Sequence, residues 1–448
     1  MALTQELGHF VSGLDFARIP DEAAAVVRTG FIDTIATMIA GAHDPAPQLL
    51  RQGLAAASGP ATLYFSGENA AAPEAAWING TAGHALDYDD VALHGHPSTV
   101  LVPAILAEAE ALDLGGREMI AAYVAGYETW AELAGRDPGH HHIKGWHPTG
   151  IFGAIGAAAA CASLRRLDPR QTAMALALAA SQAGGTMANF GTMTKPFHAG
   201  RAAHAGVISA RLAALGFTAA ADALEHPQGF LSAVSPEGKA DRDSGAPRLG
   251  EDWQILKQGL SIKKYPACYC THRALDATLD LLKAHPLTGA DIARVTVAIS
   301  KTHATILRNH RPQTGLVAKF SMEFAMAASV VARRASLAEY TDAFVRRPEV
   351  QQLMGKVGVV ANENYDPEMI GGSVFDQVSV ELANGGRLES EQVRRARGHA
   401  ERPLGDGELF EKFRSCLATG DARIAADVLF DRLSRLETVS ARELTRIG

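Results

Sequence analysis

Residues 150–164 read GIFGAIGAAAACASL. Every position is apolar or small, and Gly153, Ala157 and Cys161 recur at four-residue spacing. On a helix, that spacing lines one face with small side chains and lets a second helix approach closely. The run is too short and too rich in Ala and Gly to span a bilayer, so it predicts a helix buried in a soluble core.

The same texture extends outward. Segments 23–40, 101–112, 117–133, 169–183 and 202–215 carry apolar residues at three- and four-residue spacing, broken by Gly and Pro. No strand pattern interrupts them. Residues 235–252 are polar and rich in Gly, Pro and Asp, which reads as a linker or exposed loop. Beyond it, residues 294–300 (RVTVAIS) and 377–382 (QVSVEL) alternate like strands. Asn384-Gly385-Gly386 follows as a turn into a return strand, and helices are expected over 319–333 and 337–344. Helical periodicity resumes over 407–417 and 422–436. The fold class is therefore mainly α. A large all-helical domain comprises residues 1–255 and 395–448, and a smaller α+β domain, residues 256–394, is inserted before the C-terminal helices.

The chain has 448 residues, 47% hydrophobic content, a formal net charge of -7 and four cysteines. The negative balance argues against general nucleic-acid binding and requires local positive charge for any anionic ligand. Four scattered cysteines make no disulfide framework. The opening MALTQELGHF lacks the basic and apolar regions of a secretory signal, so a reducing cytoplasm is expected, with no membrane association.

Chemistry concentrates in four segments. Residues 191–200, GTMTKPFHAG, set Lys195 and His198 in a Gly/Thr stretch with Thr194, ahead of a helix opening at Gly200. A lysine there can anchor a carboxylate or phosphate, aided by the helix N-terminus. Residues 83–104 offer His84, Asp87, Asp89, Asp90, His94 and His96 before a helix that starts at Pro97-Ser98-Thr99. Residues 139–154, GHHHIKGWHPTGIFGA, hold three histidines that read as a solvated loop. His147 stands apart between Trp146 and Pro148, where it could titrate near neutral pH and perform acid–base work. Residues 261–277 carry Lys263 and Lys264 before a Tyr-Pro turn, with His272 opening a helix. The pair His94-Gly95-His96 also admits a metal reading, a hydrolase using His94, His96 and Asp90. No G-x-S-x-G elbow or Walker A loop is present.

The ordered motifs HALDYDD (84–90), HPST (96–99), GWHPTG (145–150), FGTMTKPFHAG (190–200) and KKYPACYCTH (263–272) make the chain resemble the MmgE/PrpD family. That family includes 2-methylcitrate dehydratases, cis-aconitate decarboxylases and iminodisuccinate epimerase. The resemblance implies a helical domain, an α+β lid, a cleft between them, a homodimer, and catalysis without metal or organic cofactor. It carries over residue by residue. Asp87 matches the first acid of the D-x-D-D run, His96 the His of HPS, His147 the His of HPTG, Lys195 the lysine of GTMTK, and Lys263 the lysine before the aromatic-Pro turn. Val91 and Cys268 depart from the Thr and His of decarboxylase-like members.

The expected function is a cofactor-independent lyase moving a proton next to a carboxylate of a small di- or tricarboxylate. His147 and His96 transfer protons, Asp87 orients an imidazole, and Lys195 binds and stabilises the carboxylate. Lys263, His272, Thr194 and His198 complete the substrate-binding set. An epimerase, the metal-dependent hydrolase and a non-catalytic carboxylate-binding dimer stay open.

Overall fold

In the computed structural model, residues 2–369 and 371–446 are described. They form two compact units: Met1–Ser261 with Gly405–Gly448, and Ile262–Leu404.

The first unit centres on the helix Pro148–Leu164, in which every residue except Ser163 is buried. Glycine and alanine make this possible. A Cβ added at Gly206, on the helix Thr194–Ala214, would lie 2.3 Å from Ala157 Cβ. One added at Gly126, on the helix Gly116–Gly135, would lie 2.7 Å from the Gly156 carbonyl oxygen. Three helices thus meet at backbone distance, as the small-residue spacing predicts. Asp21–Gly41 is the one described helix long and apolar enough to cross a membrane, but 78% of its apolar window is buried. It is a packed core helix, and a more membrane-like run than residues 150–164.

Helix positions largely follow the sequence reading, with informative exceptions. The helix placed at Gly200 begins six residues earlier, at Thr194. Pro196 fits its first turn, where an N–H has no intrahelical partner. Gly200 is internal because a Cβ there would meet the Trp77 carbonyl oxygen at 2.1 Å. The unit is not all-helical. β1 (Ala61–Leu63) and β2 (Glu68–Ala70) form a short antiparallel hairpin that pairs Ala61 with Ala70. Strands of three residues are too short to show alternation. Residues 235–252 form neither helix nor strand and lie within the first unit. The Arg136 guanidinium ties them down by donating to the carbonyls of Asp241, Ser244 and Gly245 at 3.3, 2.8 and 3.2 Å.

The helices Asp406–Thr419 and Ala426–Ser434 pack on the N-terminal ones. Lys412 places Nζ 2.5 Å from Asp33 Oδ1, donates to the Tyr88 carbonyl at 2.7 Å and lies over the Tyr88 ring.

The second unit holds a four-stranded sheet in the order β4-β3-β5-β6. β3 is Ile292–Ser300, β4 Val357–Asn362, β5 Gln377–Leu382 and β6 Arg387–Glu389. β3 runs parallel to β4, with Val295 opposite Val357, and antiparallel to β5, with Val297 opposite Val378. The parallel pair needs a long crossover, and the helices Met322–Ala332 and Pro348–Met354 lie within it. The helix expected over 319–333 starts only at the Ser321 cap. The helix expected over 337–344 is replaced by a turn and the short Asp342–Val345 helix, because Ser336 and Thr341 bond to nearby backbone and side-chain groups instead. β4 escaped sequence reading, since its faces are half-exposed on both sides.

Candidate active site

The site grows from the end of the helix Ala72–Ala85. His84 lies in its last turn and is buried. The chain then turns through Asp87, whose φ of 49° ends the helical course and sends Asp89 back over the helix end. Asp89 is fully buried, with His84 Nδ1 at 2.9 and 3.0 Å from its two oxygens. His96 Nδ1 approaches the same carboxylate at 3.1 Å and the Asp90 carbonyl at 2.8 Å. One carboxylate thus fixes two imidazoles, with ring centroids 4.4 Å apart.

A tight turn delivers His96. Leu93 and His94 both have positive φ, 50° and 62°, and Ala92 and Gly95 exchange backbone bonds around them. This is a type I′ geometry. Gly95 is required, because a Cβ would lie 2.9 Å from Trp130 and 3.0 Å from Thr149 Oγ1. The turn points His94 and His96 differently: the His94 ring neighbours His140 at 5.8 Å, away from the His84–His96 pair. Asp90 is committed elsewhere, accepting from the Ser98 hydroxyl, which contacts Tyr123 OH at 2.6 Å. The hydrolase set of His94, His96 and Asp90 therefore does not assemble.

His147 enters from the N-cap of the helix Pro148–Leu164, its N–H donating to the Gly185 carbonyl at 3.0 Å. Its ring stands 5.9 Å from that of His84 and 6.4 Å from that of His96. His147 Nδ1 faces His198 Nδ1 at 3.2 Å. Phe190 packs edge-on against the His147 ring at 4.9 Å. Lys195 sits on the first turn of its helix rather than in a loop, is buried, and pairs with Asp87 Oδ1 at 2.6 Å. Its ammonium also lies over Phe190, 5.3 Å from the ring centre. Asp87 is thus the counter-ion of Lys195, and Asp89 is the imidazole-orienting acid. Thr194 opens the same helix and is half-buried.

Burial sets the protonation states. It lowers His84 to about 3, with the Lys195 charge assisting and Asp89 opposing. His147 is held well below the ordinary histidine value by burial first and then by Lys195. The expectation that it titrates near neutral pH is corrected: it is neutral there. His198 falls to about 4 for the same two reasons. Burial would raise Asp89, but His84 and His96 beside it hold it well below the usual carboxylate range. The arrangement is an anionic carboxylate facing the Nδ1 atoms of two imidazoles, of which His84 is neutral. Among the described residues, His84 Nε2 and His147 Nε2 are buried without a hydrogen-bond partner.

Within the His140–His142 run, His141 is buried against Phe152, which corrects the reading of a solvated loop. Lys263 and His272 belong to the second unit, and both are fully buried. His272 opens the helix His272–Ala284, with its ring between Tyr265 and Tyr269 and Nε2 3.2 Å from the Ala267 carbonyl. The Cys268 backbone N–H donates to the Lys319 carbonyl at 2.9 Å.

The first unit therefore brings together His96, His147, His198, Lys195 and Asp87, all named from sequence, and adds His84 and Asp89 as a working pair. The pairing was hidden because the two are five residues apart across a helix end, a spacing that no helix or strand period brings together.

Comparison with known proteins points the same way. Residues 5–243 match the MmgE/PrpD N-terminal domain, and residues 265–429 match the MmgE/PrpD C-terminal domain. The chain is 28% identical over 389 residues to a cis-aconitate decarboxylase of Mus musculus, covering 83% of this chain and 78% of that protein. It is 25% identical over 440 residues to a cis-aconitate decarboxylase of Aspergillus terreus, covering 92% and 89%. It is also 26% identical over 463 residues to the cis-aconitate decarboxylase-like protein oryM of Aspergillus oryzae, covering 97% and 93%. With both domain models matched in order across most of its length, the chain belongs to the MmgE/PrpD family.

Proposed function

We propose that the chain is a lyase that transfers a proton at the carbon beside a carboxylate of a small di- or tricarboxylate. The observation that carries this reading is the cluster of imidazoles, two of them fixed by Asp89, beside the buried Lys195 ammonium. A neutral His147 that donates its Nδ1–H to His198 Nδ1 carries its lone pair on the unpartnered Nε2, the form needed to accept a proton from carbon. The electron pair left on carbon passes into the adjacent carboxylate, and the Lys195 charge in a dry setting stabilises the enediolate-like anion. The substrate carboxylate takes the place of Asp87 on Lys195 as it binds, before the proton moves. His96, held by Asp89, returns a proton or assists the leaving group.

The similarity to cis-aconitate decarboxylases favours carbon–carbon cleavage, in which CO2 departs and carbon is protonated. Dehydration or re-protonation on the opposite face instead forms its enediolate-like anion by removal of the carbon-bound proton, whereas decarboxylation forms its anion from the electron pair of the broken C–C bond. Val91 and Cys268 stand where decarboxylase-like members carry Thr and His, so the panel of substrates must extend past cis-aconitate.

The test is proton NMR in D2O with cis-aconitate, 2-methylcitrate and C4–C6 dicarboxylates. Enzyme-dependent deuterium incorporation beside a carboxylate, with or without CO2 release, is the expected result. A panel showing neither exchange nor turnover, while carboxylates still bind, would support a non-catalytic binding protein.

A further inference from the structure

We infer that the imidazole cluster of the first unit is also a binding site for one divalent transition-metal ion of the zinc class. One ring nitrogen from each of His84, His96 and His147 lies within 4.8 Å of the others. These are not the His94-Gly95-His96 pair that the sequence suggests.

Three features make the cluster a built site. Asp89 engages Nδ1 of both His84 and His96, so each ring carries its lone pair on Nε2. A carboxylate behind a histidine is the arrangement that fixes the tautomer and raises the basicity of a metal-ligating imidazole. His84 Nε2 and His147 Nε2 are buried and have no hydrogen-bond partner among the described residues. Buried polar nitrogens left in that state gain from a ligand that accepts their lone pairs. Three histidine ligands with a fourth position open suit zinc, at about 2.0–2.1 Å per bond. In a tetrahedral site the nitrogens stand about 3.3 Å apart, so the rings close inward by about 1.5 Å at most. Rotation about the His147 side chain supplies most of that movement, with His198 able to follow its Nδ1. The buried Asp89 carboxylate behind two of the rings supplies countercharge to the ion, while the neighbouring Lys195 charge is offset by Asp87.

Occupancy withdraws the imidazoles from proton transfer, so the ion is an inhibitor. That consequence rests on the function proposed above, but the binding itself does not. The experiment therefore reads metal and not turnover. Chelator-treated protein is titrated with Co2+, followed by visible ligand-field absorption, and with Zn2+ by equilibrium dialysis. One ion per chain is expected, with the intense visible bands of a low-coordinate cobalt site. His84→Gln and His147→Gln should each weaken binding by at least about tenfold. A variant with His140, His141 and His142 all changed to Ala should bind as the wild type does. Circular dichroism of each variant establishes that it is folded. Absence of stoichiometric binding overturns the inference. So does binding that is lost in the His140–His142 variant and retained in both folded single variants.

Discussion

At Asp89 one buried carboxylate faces two imidazoles, and Asp89→Asn changes its charge while keeping its shape. An Asn oxygen can still accept one Nδ1–H, but its NH2 group needs an acceptor, so one ring must turn or adopt the other tautomer. The rings would then present N–H where a lone pair is required. We expect kcat to fall by about 10²–10⁴-fold with KM little changed. Proton exchange in D2O with substrate binding measured in parallel checks this; a rise in KM alone would make Asp89 a substrate contact.

Lys195 has a different consequence. As a loop lysine it would be removable at no cost to the fold, but it is buried and ion-paired with Asp87. Breaking one side of a buried pair costs about 3–5 kcal/mol, and losing its contact with the transition state costs about 2–4 kcal/mol more in kcat/KM. Lys195→Ala should be both inactive and less stable. The double variant Asp87→Asn with Lys195→Met should recover most of the stability and none of the activity. A wild-type melting temperature for Lys195→Ala would show that the pair bears no structural load. At this scale the sequence exposes His147 and His96, because Pro148 and Pro97 beside them mark helix starts, and Lys195, because it stands in a Gly/Thr stretch close to a helix. It conceals Asp89, because only the left-handed turn at Asp87 carries that side chain back over the helix end.

Among the helices, glycine positions decide how closely the site's supports approach. Gly206 and Ala157 bring the Lys195 helix against the His147 helix, and a Cβ at Gly206 would stand 2.5 Å from the Ala157 carbonyl carbon. Backbone cannot yield as a flexible side chain can, so Gly206→Ala forces the helices apart. A cost of about 1–3 kcal/mol is expected. The same displacement moves Lys195 relative to His147, so activity should fall by more than the loss of stability explains. A contrasting change is available on an exposed helix: Gly53 has open space around its missing Cβ, and Gly53→Ala should be neutral or stabilising. Comparing the two variants by thermal melting and by exchange rate separates packing from helix propensity. The small-residue spacing around residues 150–164 made these contacts legible in sequence. The β1–β2 hairpin and β4 were not, since neither is long enough or one-sided enough to display a period.

Across both units, the balance of buried titratable groups determines how stability responds to acid. Among the described residues, nine histidines have values below the ordinary one: His84, His94, His140, His141, His142, His147, His198, His204 and His399. For each, burial is the leading cause. His84 and His142 fall to about 3, and His94, His198, His204 and His399 to about 4. Four carboxyls move the other way, also through burial: Glu128 to about 7, Asp376 to about 6, and Asp90 and Glu110 upward. As pH falls from about 6.5 towards 4, the unfolded chain protonates imidazoles that the folded chain keeps neutral. Over part of the same window, the folded chain protonates buried carboxyls that remain ionised when unfolded. The imidazoles outnumber the carboxyls, so the unfolded state binds more protons and stability declines as pH falls. Each net proton contributes a slope of about 1.4 kcal/mol per pH unit. The thermal midpoint should therefore drop between about pH 7 and pH 5 in buffers of matched ionic strength. The His84→Gln variant should show a shallower decline, because one of the imidazoles responsible is gone. A midpoint that holds or rises over that interval would mean the buried rings take up protons in the folded protein, and with them the assignment of His147 as a neutral base would fall.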